Sequence, residues 1–89
     1  MTPPSFSLAG RTALITGAGA PDGIGFAAAK CIVELGGSVH LVGMSDRVRE
    51  RAAELGGVAH VLDLTDECAV NALVASIDAL DIVVNNAGM

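Results

Sequence analysis

The chain has no tryptophan, no tyrosine and only two phenylalanines among its 89 residues, so no phenol is present to give or take a proton. Basic residues are scarce too: five Lys and Arg stand against ten Asp and Glu, for a formal net charge of −5. With no basic stripe to neutralise a phosphate backbone, the composition argues against a nucleic-acid partner. There are two cysteines, Cys31 and Cys68. Each lies inside a helix-like apolar pattern, with no CxxC pair and no Cys/His cluster at metal-ligand spacing. They read as reduced core thiols, which suits a cytoplasmic protein and assigns no metal. No apolar run approaches the roughly 18 residues that span a bilayer. The N-terminal MTPPSFSLAGR has no charged leader followed by an apolar stretch, so secretion and membrane insertion are both disfavoured.

What is present is aliphatic and rich in glycine: 52% hydrophobic, 17% charged, eleven glycines. This fits one soluble globular domain, or a piece of a larger one, with a core that is marginal for its size. Residues 1–10 read as a polar, proline-bearing entry segment and residues 11–89 as the domain. Arg11 to Thr16 (RTALIT) is a short apolar run ended by Gly17 and reads as a buried strand. From Gly23, apolar residues Ile24, Ala27, Ala28, Cys31, Ile32 and Leu35 recur at helical spacing, with Asp22 as N-cap and Gly36 as stop. Ser38 to Gly43 is a second strand. Ser45 or Asp46 then opens a helix through Leu55, with Val48, Ala52 and Leu55 inward and Arg47, Arg49, Glu50, Arg51 and Glu54 in water. Val58 to Asp63 is a third strand, and Thr65 caps a helix whose inner face is Val70, Leu73, Val74 and Ile77. DIVVNNAGM supplies a fourth strand.

Strands that alternate with single helices specify a parallel sheet, because parallel neighbours need a crossover connection. The expected fold class is α/β, a doubly wound Rossmann-like sheet whose first four strands run in the order 3-2-1-4 and which is incomplete. One internal echo stands out. GGSVHLV at Gly36 and GGVAHVL at Gly56 share a GG-x-x-H frame, so neighbouring second and third strands bring His40 and His60 side by side. The pair is either a metal-binding couple or two half-buried histidines at a sheet margin.

The turn TGAGAPDGIG (Thr16 to Gly25) feeds a strand into a helix, and so gathers backbone N–H groups and the positive end of a helix dipole at one point. Its glycines admit an anion to the backbone, or simply make a tight turn. A P-loop is excluded, since no Lys-Ser or Lys-Thr follows the last glycine. An S-adenosylmethionine site is harder to exclude by fold. It wants an acidic residue at the end of the second strand, and Gly43, Met44 and Ser45 supply none.

Thr16-Gly17, Gly23-Ile24-Gly25, Asp63-Leu64 and Asn85-Asn86-Ala87-Gly88, taken in order, resemble the N-terminal motifs of the short-chain dehydrogenase/reductase family: TGxxxGIG, the acidic pair after the third strand, and NNAG after the fourth. The resemblance covers nearly the whole chain but about the first third of a typical member. It implies an NAD(P)-dependent oxidoreductase that moves hydride between nicotinamide and a small-molecule carbonyl or alcohol. By that resemblance Gly17, Gly23, Ile24 and Gly25 hold the pyrophosphate. Asp63 meets the adenine amino group with the Leu64 backbone beside it, Asn86, Ala87 and Gly88 lie along the adenosine ribose, and Asn85 braces the sheet.

The chain departs from the family pattern in three places. Five residues, Ala18 to Asp22, separate the first two glycines, where the pattern has three. Asp22 falls where NADP-preferring members often carry a base. Against that, NAD-preferring members usually carry Asp at the end of the second strand, and here Gly43 is followed by Ser45 and Arg47. The balance tilts to NADP over NAD, with Ser45 and Arg47 as contacts. The family's chemistry also requires a Ser, a Tyr and a Lys four residues after that Tyr. With no tyrosine in the chain, no catalytic residue is assigned. Phe26 to Lys30 has that spacing but no hydroxyl.

Two readings follow: the cofactor-binding N-terminal part of a longer oxidoreductase, or a non-catalytic nucleotide-binding or assembly module that completes its sheet with a partner chain. In either, the fourth strand leaves an apolar edge. The 89-residue chain is therefore expected to self-associate or to melt without cooperativity; sedimentation as a monomer together with a sharp two-state melt would contradict this.

Overall fold

Four short aliphatic strands and three helices alternate: β1 (Thr12–Thr16), α1 (Ile24–Glu34), β2 (Ser38–Gly43), α2 (Arg47–Leu55), β3 (Val58–Val61), α3 (Glu67–Ser76) and β4 (Leu80–Val84). They are taken from a computed structural model that describes residues 7–18 and 23–85. The sheet is wholly parallel in the order β3-β2-β1-β4, as the sequence pattern implied. Ile15 stands beside Leu41 on one side and Val84 on the other, and Leu41 beside Ala59. The β1–β4 register shifts between Thr12 and Ala13. There the Thr12 N–H donates to the Asp81 carboxylate (2.9 Å) instead of to a backbone carbonyl, and Arg11 closes on the same carboxylate at 3.4 Å.

Alternation along the strands divides the side chains between two faces. Ala13, Ile15, Val39 and Leu41 pack with Ala29 and Ile32 of α1 and with Val48 and Ala52 of α2 into one core, which Ala59, Ile82 and Val84 flank. The opposite face carries Leu14, Thr16, His40, Val42, His60 and Val83, and α3 lies over its β1–β4 side. Every residue from Ala13 to Thr16 is buried, the signature of a central parallel strand covered on both sides.

Both Gly-Gly pairs end helices in the same way. Gly36 lies in the left-handed region at φ +96°, its N–H donating to Val33 O (2.9 Å) while Gly37 N–H donates to Ile32 O (2.9 Å). Gly56, at φ +69°, donates to Ala53 O (3.4 Å) and Gly57 to Ala52 O (2.9 Å). This is the Schellman closure, in which the first glycine takes the left-handed conformation. The second glycine then lets the chain enter the next strand at close quarters. A Cβ on Gly57 would lie 2.7 Å from Val39 Cγ2 and 2.8 Å from Val39 O.

Several sequence expectations are corrected. Cys31 and Cys68 are exposed, not core thiols. The buried line of α1 is Gly25, Ala29 and Ile32, and Cys31 sits roughly 200° around the helix from Ala29. Arg51, expected in water, is buried at 9% exposure. It follows Val48 by three residues and precedes Leu55 by four, so it falls inside the apolar stripe. Its guanidinium lies 5.7 Å from the Phe26 ring centroid, bonded to Glu54 (3.0 Å) and near Glu50 (3.6 Å), with Nε buried and unpartnered.

The cap of α3 is Asp66, which accepts from Ala69 N–H (3.2 Å); the Thr65 hydroxyl is turned away to Asp63. None of the α3 residues is fully buried, and Ile77 is its C-cap, so Val70, Leu73, Val74 and Ile77 form a half-covered face. β3 stops at Val61, two residues short of the expected Asp63; β1 starts at Thr12, not Arg11; and β4 starts one residue early, at Leu80. The expected cap Asp22 lies outside the described residues.

The glycine geometry gives an ordered expectation for urea denaturation. Gly57→Ala should destabilise by about 1–3 kcal/mol through overpacking against Val39. Gly56→Ala, with nothing within 4 Å of its new methyl, should lose only about 1 kcal/mol, from the left-handed backbone.

Candidate functional site

All four strands are parallel, so their C-terminal ends, and the turns that leave them, share one edge of the sheet. β1 connects through α1 to β2 on one side, while β4 lies on its other side. The crevice at β1 is thus the point where strand order reverses, the usual ligand position in open α/β sheets. Gly17 leaves β1 at φ +69°, and its N–H and that of Ala18 both reach Val42 O, at 2.9 and 3.3 Å. A side chain is disfavoured at that φ, and these two bonds tie the glycine turn to the end of β2.

Gly23 is the N-cap of α1, extended at φ −81° and ψ 160°, with no side-chain cap and no acidic residue in the first turn. Its carbonyl accepts from Ala27 N–H (3.1 Å). Ile24 is exposed at 68% and Gly25 is buried against the sheet. The helix start therefore presents backbone donors and the positive end of the dipole with no carboxylate in its first turn, which suits an anion.

At the end of β2, Met44 and Ser45 are exposed, and Arg47 is the exposed first residue of α2. The adjacent carboxylate, Asp46, is bonded to Arg49 Nε at 3.2 Å. β3 runs out through Leu62, whose N–H donates to Gly43 O (3.0 Å), and delivers Asp63 to the same edge. Asp63 is exposed, and its Oδ1 accepts from the Thr65 hydroxyl (2.6 Å) and the Thr65 N–H (2.9 Å). These bonds hold its carboxyl below the ordinary value of 3.8, the hydroxyl contributing most. Leu64 turns inward and lines a cavity of about 180 Å³ with Leu14, Thr16, Val70, Val74 and Asn85.

The β1–β4 crevice is closed by a bond that sequence reasoning only half anticipated. The Thr16 hydroxyl donates to Asn85 Oδ1 at 3.1 Å, with Val84 O at 3.4 Å. Asn85 thus braces the two strand ends, and Thr16 is its partner. The signals for Thr16 were its place at the head of the TG motif and a hydroxyl at the last position of a strand. The structure brings Gly17, Gly23, Ile24, Gly25, Ser45, Arg47, Asp63 and Leu64 to one edge or to the turns leaving it. Asn86, Ala87 and Gly88, together with the Pro21-Asp22 insertion, lie outside the described residues. Among the described residues no group of three His, Cys, Asp or Glu could hold a metal ion, and no helix is long and apolar enough to cross a membrane.

Residues 11–89 match the family model described as short chain dehydrogenase. Comparison with curated proteins finds no match. Among solved structures, the chain is similar to Pseudomonas aeruginosa RhlG in an active-site complex with NADP: 34% identity and a TM-score of 0.78, over 96% of this chain and 37% of that one. A Beutenbergia cavernae structure, named for an NAD(P) dependent gluconate 5-dehydrogenase and holding NADP at low occupancy, is 40% identical with a TM-score of 0.73, over 88% of this chain and 34% of that one. A short chain dehydrogenase from Mycobacterium smegmatis is 33% identical with a TM-score of 0.77, over 89% and 36%. The chain spans little more than a third of the length of these structures.

The Asp63 turn yields a pH expectation. Because the folded carboxyl is held below its ordinary value, its favourable contribution is present above 3.8 and is lost as pH falls through the folded value. Carboxyl-carbon NMR should find Asp63 titrating below the ordinary aspartate value, and Thr65→Ala should move it up toward that value. An unmoved Asp63 in that variant would remove the hydroxyl as the cause.

Proposed function

The chain belongs to the short-chain dehydrogenase family, and from that premise we propose that it forms the adenosine and pyrophosphate side of a nicotinamide dinucleotide site. The whole activity is that of a cytoplasmic oxidoreductase passing hydride between nicotinamide and a carbonyl or alcohol. The observation that carries this reading is the β1 exit: Gly17 at φ +69°, bonded to Val42 O, opposite an α1 start with no side-chain cap and no acid in its first turn. Such a cradle fits a pyrophosphate, whose oxygens take backbone N–H donors where a side chain would block approach. Gly17, Gly23, Ile24 and Gly25 hold it. Asp63, exposed on the same edge and already ionised at neutral pH, accepts from the adenine amino group, beside the Leu64 backbone. Asn86, Ala87 and Gly88 line the ribose.

The preference is for NADP. Among the described residues at the β2 exit, the Asp46 carboxylate is engaged by Arg49, while Ser45 and Arg47 are exposed there. A 2′-phosphate gains a charge-assisted bond from such an arginine, whereas a 2′-hydroxyl finds no acidic partner. When bound, the dinucleotide supplies the hydride chemistry. This chain contributes binding and orientation, since it has no tyrosine to act as proton donor.

Calorimetric titration of the chain with NADP and NAD tests the proposal. NADP should bind more tightly. Arg47→Ala should cost NADP up to about tenfold while leaving NAD unchanged, and Asp63→Ala should weaken both by roughly three- to tenfold, the loss of one hydrogen bond. Equal affinities would refute the NADP preference. A folded chain that binds neither would refute the site.

A further inference from the structure

His40 and His60 are the two histidines of the GG-x-x-H echo, and both are half-buried on the sheet face opposite α1 and α2. In register they are diagonal: His40 stands beside Val58, and His60 beside Val42. Their rings nevertheless meet, with His40 Nδ1 at 2.9 Å from His60 Nε2. The ring planes are 10° apart and the centroids 5.2 Å apart. A ring nitrogen lies roughly 1.1 Å from its centroid in a five-membered ring of ordinary C–N bonds. The N···N distance and two such radii therefore account for the whole centroid separation. The rings meet end to end and in line, each nitrogen aimed at the other, rather than face to face.

Two nitrogens aimed at each other at this distance require a proton between them, one imidazole donating and the other accepting. The gap does not admit a metal bonded to both, since each Zn–N bond alone takes about 2.0 Å. With both rings neutral the bond holds. With one extra proton it becomes a charge-assisted imidazolium–imidazole bond and is strengthened. With two, both facing nitrogens are donors, and the bond turns into repulsion between cations.

We propose that the His40–His60 pair is a proton-sharing latch that fastens the edge strand β3 to β2 and opens when the pair becomes doubly protonated. β3 is only four residues long and, among the described strands, pairs with β2 alone, so the imidazole bond adds a side-chain tie to its one ladder. Among the described residues no counter-ion is paired with either ring. Thr12, Leu14, Ser38, Val42 and Val58, the neighbouring positions on this face, are all uncharged. The acids nearest in the chain on this side are Asp63, bonded to Thr65, Asp66, bonded to the α3 backbone, and Glu67 in the first turn of α3. Burial first, and His40 second, hold the His60 imidazole below its ordinary value of 6.5. The stabilisation is therefore present above that value and is lost as pH falls through the folded one. Opening would release Leu62 from Gly43 O, and with it the Asp63 turn. An effect on dinucleotide affinity rests on the function proposed above; the latch itself does not.

The test is an NMR titration of both imidazoles in the 89-residue chain between pH 4 and 8.5, beside His40→Gln and His60→Gln. No cofactor is needed, so its failure is separate from failure of the binding site. The wild-type pair should take up its two protons in steps more than one pH unit apart. On the acid step, amide exchange at Leu62, whose N–H donates to Gly43 O, corrected for intrinsic rate, should rise by about tenfold or more. In either variant the remaining histidine should titrate in a single step, and the acid rise in exchange should vanish. Two wild-type imidazoles titrating together at the ordinary value would overturn the proposal. So would an acid rise in exchange of equal size in wild type and both variants.

Discussion

Parallel pairing of β1 with β2, in a strand whose residues from Ala13 to Thr16 are all buried, is the constraint on which the other elements depend. β1 lies between β2, which it reaches through α1, and β4. Its side chains serve both faces, Ala13 and Ile15 toward α1 and α2, Leu14 and Thr16 toward α3. Because a one-residue slip of β1 would exchange these faces, its register, and with it the place of Gly17 at its exit, is strongly specified. The bonds from Gly17 and Ala18 to Val42 O then carry that precision across to β2.

The two faces are covered unequally. On one, small residues bring helices close. A Cβ on Gly43 would lie 2.9 Å from Val48 Cβ, and Ala29 and Ala52 are fully buried. The two Schellman closures return the chain to the sheet within a pair of residues each. On the other, α3 buries no residue completely, Val83 is 59% exposed, and the histidines lie half-covered. The acid-sensitive bond and the cavity both belong to this thinner side, where packing is least able to compensate for a lost polar contact.

At the ligand edge, charge is arranged by what is already engaged. Asp46 is occupied by Arg49 and Asp63 by Thr65. The α1 start has no carboxylate in its first turn. In a chain of net charge −5, the Asp46–Arg49 pair lowers the negative field among the described residues of this edge.

Element order, the parallel sheet and the strand sequence β3-β2-β1-β4 were legible because apolar runs, helical spacing and glycine punctuation are local signals, and because crossover handedness leaves few topologies. The described ends of the glycine turn, Gly17 and Gly23, were legible as local punctuation, whereas Asp63 and Asn85 were picked out by the family motifs they belong to; each lies at a strand exit. Other features depended on three-dimensional neighbours. Arg51 is buried because its helix position falls over Phe26. Cys31 is exposed because one step along α1 turns it away from the sheet. Asp66 displaces Thr65 as cap because the Thr65 hydroxyl finds Asp63 first. The sequence by itself determined which residues could form strands, turns and an anion cradle, since those depend on backbone freedom and spacing. Only the tertiary structure decided which polar groups meet, above all the in-line contact of His40 and His60, because that depends on strand register and on rotamers reaching across a diagonal.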